Sequence, residues 1–126
     1  MRFVTKRVHA YLDYPVALAL MALPFVLGLG ESHAAAQWLS IGTGVAALIL
    51  TLLTDHHLGV VRVLPYKFHL FVDFLVAIVF IAAPLILGFQ GIDAGYYWAN
   101  GGAVLTVIAL HRPEEGSAES SAFASA

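Results

Sequence analysis

An apolar segment of twenty residues occurs twice in this chain, sixty positions apart. Residues 9–28 read HAYLDYPVALALMALPFVLG, and residues 69–88 read HLFVDFLVAIVFIAAPLILG. The two copies align without a gap, and the same register brings Trp38 onto Trp98 and Gly42 onto Gly102. The pairs identical within the segment are His9/His69, Asp13/Asp73, Val16/Val76, Ala17/Ala77, Ala22/Ala82, Pro24/Pro84, Leu27/Leu87 and Gly28/Gly88. The chain is therefore predicted to use one structural unit twice.

The composition is typical of a membrane protein. Of the 126 residues, 60% are hydrophobic and 11% are charged, whereas a soluble domain is typically about half apolar and about a quarter charged. Four segments approach the roughly 20 apolar residues that a membrane-spanning helix needs: residues 8–29, 37–54, 68–89 and 96–110. The absence of cysteine excludes disulfides and thiolate metal sites. A net charge of −2 argues against a nucleic-acid partner.

Short links between successive helices predict two tandem helical hairpins, so the expected fold is all-α, a polytopic membrane protein with four transmembrane helices. A first two-helix repeat covers residues 8–54 and a second covers 68–111. Segment 1–7 precedes them, a link occupies 55–67, and a small, acidic tail at 112–126 is expected to be disordered. Because each repeat enters and leaves on one side, the repeats are predicted to have parallel topology, with a pseudo-two-fold axis along the membrane normal.

The basic residues predict the orientation in the membrane. All six fall on one side of the four-helix arrangement, and neither short hairpin link carries any: Arg2, Lys6, Arg7, Arg62, Lys67 and Arg112. The positive-inside rule then places both termini and the central link in the cytoplasm, with the chain in the inner or plasma membrane. The basic start and the first apolar run also resemble a cleavable signal peptide, but this run is longer than a signal core and recurs at residues 69–88.

Most positions that the two copies share lie on one stripe of the helix. On a wheel of 3.6 residues per turn, all but Ala22 fall within an arc of roughly 120°, so this stripe is expected to face other helices. Small residues let membrane helices approach closely, and proline can kink a helix. The residues predicted to pack or kink helices are Ala17, Pro24, Gly28, Gly42, Ala77, Pro84, Gly88 and Gly102. The predicted interfacial anchors are the aromatic residues Trp38, Tyr96, Tyr97 and Trp98.

Two His–Asp pairs are the candidate functional residues. His9 and Asp13 are four residues apart, so they share a helix face, and His69 and Asp73 repeat this arrangement. An ionisable group inside a membrane segment is costly and is a functional-site hypothesis by default. Three interpretations compete: the pairs lock the bundle at its cytoplasmic end, they titrate along a proton or ion path, or His9 and His69 together ligate haem or a metal, with each aspartate as an outer orienting group.

The remaining histidines give weaker signals. His56 and His57 follow an aspartate just outside the second helix, where they could bind a metal or lipid headgroups. His111 lies just outside the fourth helix and is expected to be interfacial. His33 has no counterpart, because Asp93 occupies the equivalent position of the second copy, and no role is assigned to it.

These features resemble the SPW repeat family of small membrane proteins, whose repeat of two transmembrane helices carries a Ser-Pro-Trp signature in its first helix. The matching positions are Leu23-Pro24-Phe25 followed by Val-Leu-Gly, and Ala83-Pro84-Leu85 followed by Ile-Leu-Gly. Only the proline and the later Leu-Gly match outright, and serine and tryptophan are absent from both copies. The upstream histidine and aspartate also resemble the family's pattern, and the resemblance covers roughly residues 8–111. It implies the architecture and no particular activity.

From the sequence we expect a non-enzymatic integral membrane protein that acts as a structural or interaction subunit. Its expected partners are the lipid bilayer and either further copies of itself or a larger membrane complex. The sequence contains no recognisable nucleophile–base arrangement or catalytic metal motif, and we expect neither a cofactor nor a resident metal. Two alternatives stay open: a small transporter or proton- or ion-conducting protein that uses the His–Asp pairs, and a redox protein that binds haem or a metal through two histidines.

Overall fold

The fold is all-helical in the part of the chain that the computed structural model describes, which is residues 5–54 and 59–110. It contains four α-helices: α1, Lys6–Val26; α2, Ala35–Leu53; α3, Tyr66–Leu87; and α4, Gly91–Ala109. The predicted disordered tail and the loop histidines His56, His57 and His111 lie outside the described residues, so those predictions stay untested.

Three of these helices, α1 to α3, are long and apolar enough to cross a membrane. The fourth has 19 residues, but it contains Asp93, Asn100, two tyrosines and four glycines, and it is not among the spans that length and composition identify. The structure therefore supports an all-helical chain with three candidate membrane spans. That α4 also spans the membrane stays a prediction.

Each copy of the repeated segment ends its helix in the same way. Gly28 and Gly88 follow the last turns of α1 and α3 with positive φ angles of 67° and 73°. The carbonyl oxygens of Pro24 and Pro84 accept hydrogen bonds from the N–H groups five residues ahead, at 2.9 and 3.0 Å. Glycine adopts this left-handed conformation without steric cost and commonly closes helix C-termini. Gly28 and Gly88 therefore end the helices, and the prediction that they let helices approach is wrong, since an added Cβ would meet nothing within 4 Å in the described part of the chain.

Close helix packing occurs within two helix pairs, α1 with α2 and α3 with α4, while α2 and α3 contact each other less. In each pair a glycine faces an alanine. A Cβ added to Gly44 would lie 2.8 Å from the carbonyl oxygen of Ala17, and one added to Gly101 would lie 3.0 Å from that of Ala77. Both alanines are fully buried. Small residues therefore lie on both sides of each close approach, and the helices that they join belong to one chain.

The repeat register shifts between the first and second helix of each unit. The two buried alanines are 60 positions apart (17 and 77), whereas their glycine partners are 57 apart (44 and 101), because the link before α4 is shorter than the link before α2. Gly42 and Gly102 were predicted to let helices approach. That prediction is wrong, since a Cβ added to either meets nothing within 4 Å among the described residues. Trp38 and Trp98 are both exposed, and their role as interfacial anchors stays a prediction.

An aromatic core fills the end of the bundle where α1 and α3 stop. Phe80, Phe89, Tyr96 and Tyr97 are buried there, and the ring centroid of Tyr97 lies 4.5 Å from that of Phe80 and 4.9 Å from that of Phe89. The Tyr97 hydroxyl donates to a backbone carbonyl of α2 at 2.7 Å, and the Tyr96 hydroxyl bonds Ser40 Oγ at 2.6 Å. Tyr96 and Tyr97 therefore join α4 to α2, and the prediction that they anchor the lipid interface is wrong.

Replacing Gly101 with valine should destabilise the protein, because the new side chain would be forced against the carbonyl oxygen of Ala77 and against Ile81. Overpacking of this kind costs about 1–3 kcal/mol. The matched control is Gly102→Val, since a Cβ at that position is unobstructed. The free energy of unfolding, measured by detergent titration in mixed micelles, should fall only for the Gly101 variant. Equal losses in the two variants would contradict the packing described.

Candidate functional site

The two His–Asp pairs meet between α1 and α3, near the start of each helix. His9 Nε2 lies 3.1 Å from Asp13 Oδ1 and 2.9 Å from Asp73 Oδ2. His69 Nε2 lies 3.2 Å from Asp13 Oδ2 and 3.4 Å from Asp73 Oδ2. Each imidazole therefore contacts the carboxylate of its own repeat and that of the other repeat. We call these four residues the His–Asp cluster.

Burial makes these contacts necessary. His9 and His69 are 4% and 2% exposed, and the side chains of Asp13 and Asp73 are 12% and 21% exposed. A charge removed from water costs several kcal/mol unless it is paired, so the four groups depend on one another. The two imidazole rings meet edge to face with centroids 5.6 Å apart, and the buried ring of Tyr66 packs against both.

Thr54, which caps the C-terminal end of α2, fixes the ring of His69. The Thr54 hydroxyl donates its single hydrogen to the carbonyl oxygen of Leu50 at 2.6 Å. It must therefore accept its other hydrogen bond, of 2.7 Å, from the Nδ1–H of His69. This contact assigns the proton to Nδ1 and turns Nε2 toward the two aspartates. Sequence reasoning missed Thr54, because it lies 15 residues from His69 and at the end of another helix.

A cavity of about 640 Å³ opens between the helices beside the cluster. All four helices line it, and along α1 its wall runs from His9 to Leu20. Among the described residues, its other polar lining consists of Thr43, Thr51 and Asn100. The aromatic core begins at the level of Leu20. The bundle is therefore tightly packed at one end and open around the His–Asp cluster at the other.

The structure combines two pairs that the sequence predicted separately. His9 and His69 do lie together, as the haem-or-metal interpretation required. The aspartates are not outer orienting groups, however, because both carboxylates reach the same centre as the imidazoles, and Thr54 takes the orienting position for His69. The cluster offers two nitrogen and two oxygen ligand atoms, all within 4.8 Å of one another. Such a set can share protons or hold one metal ion.

A second polar cluster, missed from the sequence, lies at the opposite end of the bundle, outside the three apolar spans. Asp93, in the first turn of α4, accepts hydrogen bonds from the N–H groups of Gly30 and Ser32 at 3.0 and 3.1 Å and from the Ser32 hydroxyl. Ser32 Oγ accepts in turn from the N–H of Gln90 at 3.1 Å. Burial raises the pKa of the Asp93 carboxyl, but hydrogen bonds from Ser32, Gly30 and His33 outweigh this and hold the pKa below its ordinary value.

Comparison with protein families identifies the chain. A family model described as the SPW repeat domain matches residues 7–112, which is most of the 126 residues. The chain belongs to the SPW repeat family. This confirms the resemblance read from the proline and Leu-Gly positions, and it supports a small membrane protein. No curated protein and no solved structure matches the chain significantly. The matched range of this SPW repeat protein includes both copies of the repeated segment and the whole His–Asp cluster.

Replacing Asp93 with asparagine should destabilise the protein by about 2 kcal/mol, because hydrogen bonds to a charged acceptor are worth roughly 1.5–3 kcal/mol. Since the folded-state pKa is lowered, the contribution of Asp93 is fully present above 3.8 and is lost as the pH falls from there through the folded-state pKa. Thermal melting in detergent should therefore show a smaller acid-induced decline for Asp93→Asn than for the wild type.

The control for this experiment is Glu31→Gln, an exposed acidic residue in the same link. It should melt like the wild type at every pH. An Asp93→Asn variant that keeps the full acid-induced decline would contradict the assigned role of Asp93.

Proposed function

We propose that this protein is a non-enzymatic integral membrane protein in which two parallel-topology helical hairpins are clamped together by the His–Asp cluster. The observation that carries the proposal is the pair of contacts between repeats, His9 to Asp73 at 2.9 Å and His69 to Asp13 at 3.2 Å. Close packing otherwise occurs within α1–α2 and within α3–α4. The cluster is therefore well placed to hold α1 and α3 together on the open side of the bundle.

A fourth membrane-spanning segment, residues 96–110 of the sequence prediction, which begins after Asp93, is part of this proposal. The polar side chains of α4 are bonded inside the protein. Asn100 donates to the carbonyl oxygen of Tyr96, and Thr106 donates to that of Gly102, both at 2.8 Å. The hydroxyls of Tyr96 and Tyr97 bond α2. Lipid requires that backbone and side-chain polar groups be satisfied internally, and these contacts support a spanning role for α4.

We further propose that the cluster end faces the cytoplasm of the inner or plasma membrane, together with both termini. Arg7 and Lys67 lie at the starts of α1 and α3, and Arg62 lies in the link before α3. The links at the opposite end contain no basic residue. This distribution follows the positive-inside rule.

Single cysteines test this orientation, because the chain contains no native cysteine. In intact cells, Glu31→Cys and Gln90→Cys, in the two short links, should react with a membrane-impermeant maleimide. Val63→Cys, before α3, should react only after the membrane is permeabilised. All three positions are exposed. The inverse labelling pattern would contradict the orientation, and different labelling of positions 31 and 90 would contradict the two-hairpin arrangement.

A double-mutant cycle tests the clamp. Breaking a buried ion pair by removing one partner costs about 3–5 kcal/mol, so Asp73→Ala should lower stability by about 3 kcal/mol. The double variant His9→Ala with Asp73→Ala should lose less than the sum of the two single losses, because contacting residues couple by about 0.5–3 kcal/mol. Glu31→Ala, an exposed acidic control, should change little. Additive losses at His9 and Asp73 would show that the contact between repeats is not the clamp.

Self-association, or assembly with another membrane protein, belongs to the same proposal. The highly exposed apolar side chains of Val26, Leu85 and Ile86 suit contact with lipid and with a second membrane protein alike. Transport is the second candidate function, and the cavity beside the cluster is the observation that favours it. A transport cycle would have to open the aromatic core and the Ser40–Tyr96 bond, which close the bundle beyond the cavity.

A further inference from the structure

The geometry of the His–Asp cluster suits one central cation better than a set of shared protons. Each Nε2 is nearly equidistant from an oxygen of each carboxylate, at 2.9 and 3.1 Å for His9 and at 3.2 and 3.4 Å for His69. A hydrogen bond is strongest when its N–H points at one acceptor, whereas a central cation attracts all four ligand atoms. In a tetrahedral site with bonds of about 2.0–2.1 Å, neighbouring ligand atoms lie about 3.3 Å apart. The four observed distances bracket this value, with Asp13 contacting His9 through Oδ1 and His69 through Oδ2, and a set of one ligand atom per residue lies within 4.8 Å of one another.

The bond between Thr54 and His69 is a second, independent observation. Because Nδ1 carries the proton that Thr54 accepts, the neutral ring presents a lone pair at Nε2. In that neutral form the lone pair faces oxygens of Asp13 and Asp73, which carry lone pairs of their own, so either a second proton on Nε2 or a metal cation must lie between them. Metal-bound histidines generally donate the other ring N–H to a fixed acceptor, which sets the tautomer and the ring orientation. Thr54 is such an acceptor.

Charge and ligand type narrow the choice of ion. Two carboxylates and two neutral imidazoles carry a net charge of −2, which one divalent cation neutralises. Imidazole nitrogen together with carboxylate oxygen is a ligand set typical of Zn²⁺ and related first-row ions, whereas Ca²⁺ and Mg²⁺ prefer oxygen ligands throughout. A haem fits poorly, because the carboxylates of Asp13 and Asp73 occupy the space between the two imidazoles where its ring would lie.

We propose that His9, Asp13, His69 and Asp73 bind one divalent transition-metal ion of the Zn²⁺ class, with Thr54 positioning His69. This inference rests on the proposed function, since an ion bound by residues of α1 and α3 would hold the two hairpins together. The cavity is lined by all four ligand residues, so the site borders open space inside the bundle.

Metal analysis of the full-length protein tests the site. The protein is purified in mild detergent, stripped with a chelator and given Zn²⁺ alone. We expect one Zn²⁺ per chain by elemental analysis. Co²⁺ in place of Zn²⁺ should give the strong visible absorption of a tetrahedral site. Uptake of Zn²⁺ well below one per chain, or only the weak spectrum of hydrated Co²⁺, would overturn the proposal.

Histidine variants locate the binding. The double variant His9→Gln with His69→Gln should lose both the bound Zn²⁺ and the Co²⁺ absorption. His33→Gln is one control, since His33 is exposed and its Nδ1 accepts a hydrogen bond from the N–H of Ala35 at the start of α2. His56→Gln with His57→Gln is the other, because the sequence offers this pair as a separate candidate metal site. Both controls should bind one ion, and metal lost from a control but kept by the cluster variant would overturn the assignment.

Thr54 variants keep the test valid if the cluster variants fold poorly. Thr54→Val removes the acceptor of the His69 Nδ1–H, and the loss of such a contact typically weakens metal affinity about 10- to 100-fold. Thr54→Ser keeps the hydroxyl and should restore the affinity. Helical circular dichroism and gel filtration confirm that each variant is folded. Equal Zn²⁺ affinities in the valine and serine variants would overturn the positioning role of Thr54.

The metal inference and the clamp proposal fail in different ways. If chelation leaves the melting temperature unchanged while His9 and Asp73 remain coupled in the double-mutant cycle, the clamp consists of ion pairs and the metal inference is wrong. If Zn²⁺ binds stoichiometrically but the coupling is absent, the site exists and the clamp is wrong. A chelator-induced fall in melting temperature that is reversed by Zn²⁺ supports both.

Discussion

The structure depends on the cost of placing ionisable side chains inside apolar helices. The repeated segment puts one histidine and one aspartate on each of two helices, and neither pair is well accommodated against lipid alone. Brought together, His9, Asp13, His69 and Asp73 satisfy one another across the boundary between the repeats. Duplication of a two-helix unit therefore supplies both halves of the contact that joins the units. This requirement also fixes which faces of α1 and α3 point inward.

The two ends of the bundle are built differently. At the link end, Asp93 ties the first link to α4, and Tyr96 and Tyr97 bond α4 to α2 around a buried aromatic core. At the cluster end, the helices surround a cavity, and the His and Asp side chains of the His–Asp cluster connect α1 to α3. The hydrophobic core at the link end therefore packs the four helices together. The open end carries the imidazoles and carboxylates that can share protons or bind a metal ion. The two polar clusters, Asp93 and the His–Asp cluster, lie at opposite ends.

Local sequence pattern was sufficient to predict the helices and the shared face of each His–Asp pair. Apolar length and the spacing of four residues act within one helix and need no tertiary information. Helix ends were less well predicted, since α1 ends at Val26 and not at residue 29. Hydropathy treats Leu27, Gly28 and Leu29 as a continuing apolar run, whereas the left-handed conformation of Gly28 ends the helix.

The repeat shows which residues the two copies share, but it does not show which structural role each shared residue has. A shared glycine can serve close packing or a special backbone conformation, and Gly28 and Gly88 serve the second. The glycines that do pack, Gly44 and Gly101, are hidden by the shift in register that follows the shorter second link. Asp93 was passed over because its partners lie more than 60 residues away in sequence. Contacts of this kind depend on how the helix pairs dock.

The most direct test of the account is the distance between α1 and α3 at the cluster end, measured by pulsed electron paramagnetic resonance on spin labels at Val8→Cys and Phe68→Cys. Both positions are exposed, and the chain has no other cysteine. The account predicts one narrow distance distribution in the otherwise native protein. It predicts a broad distribution when Asp13→Asn and Asp73→Asn are added. An equally narrow distribution without the two carboxylates would contradict the claim that the His–Asp cluster clamps the hairpins together.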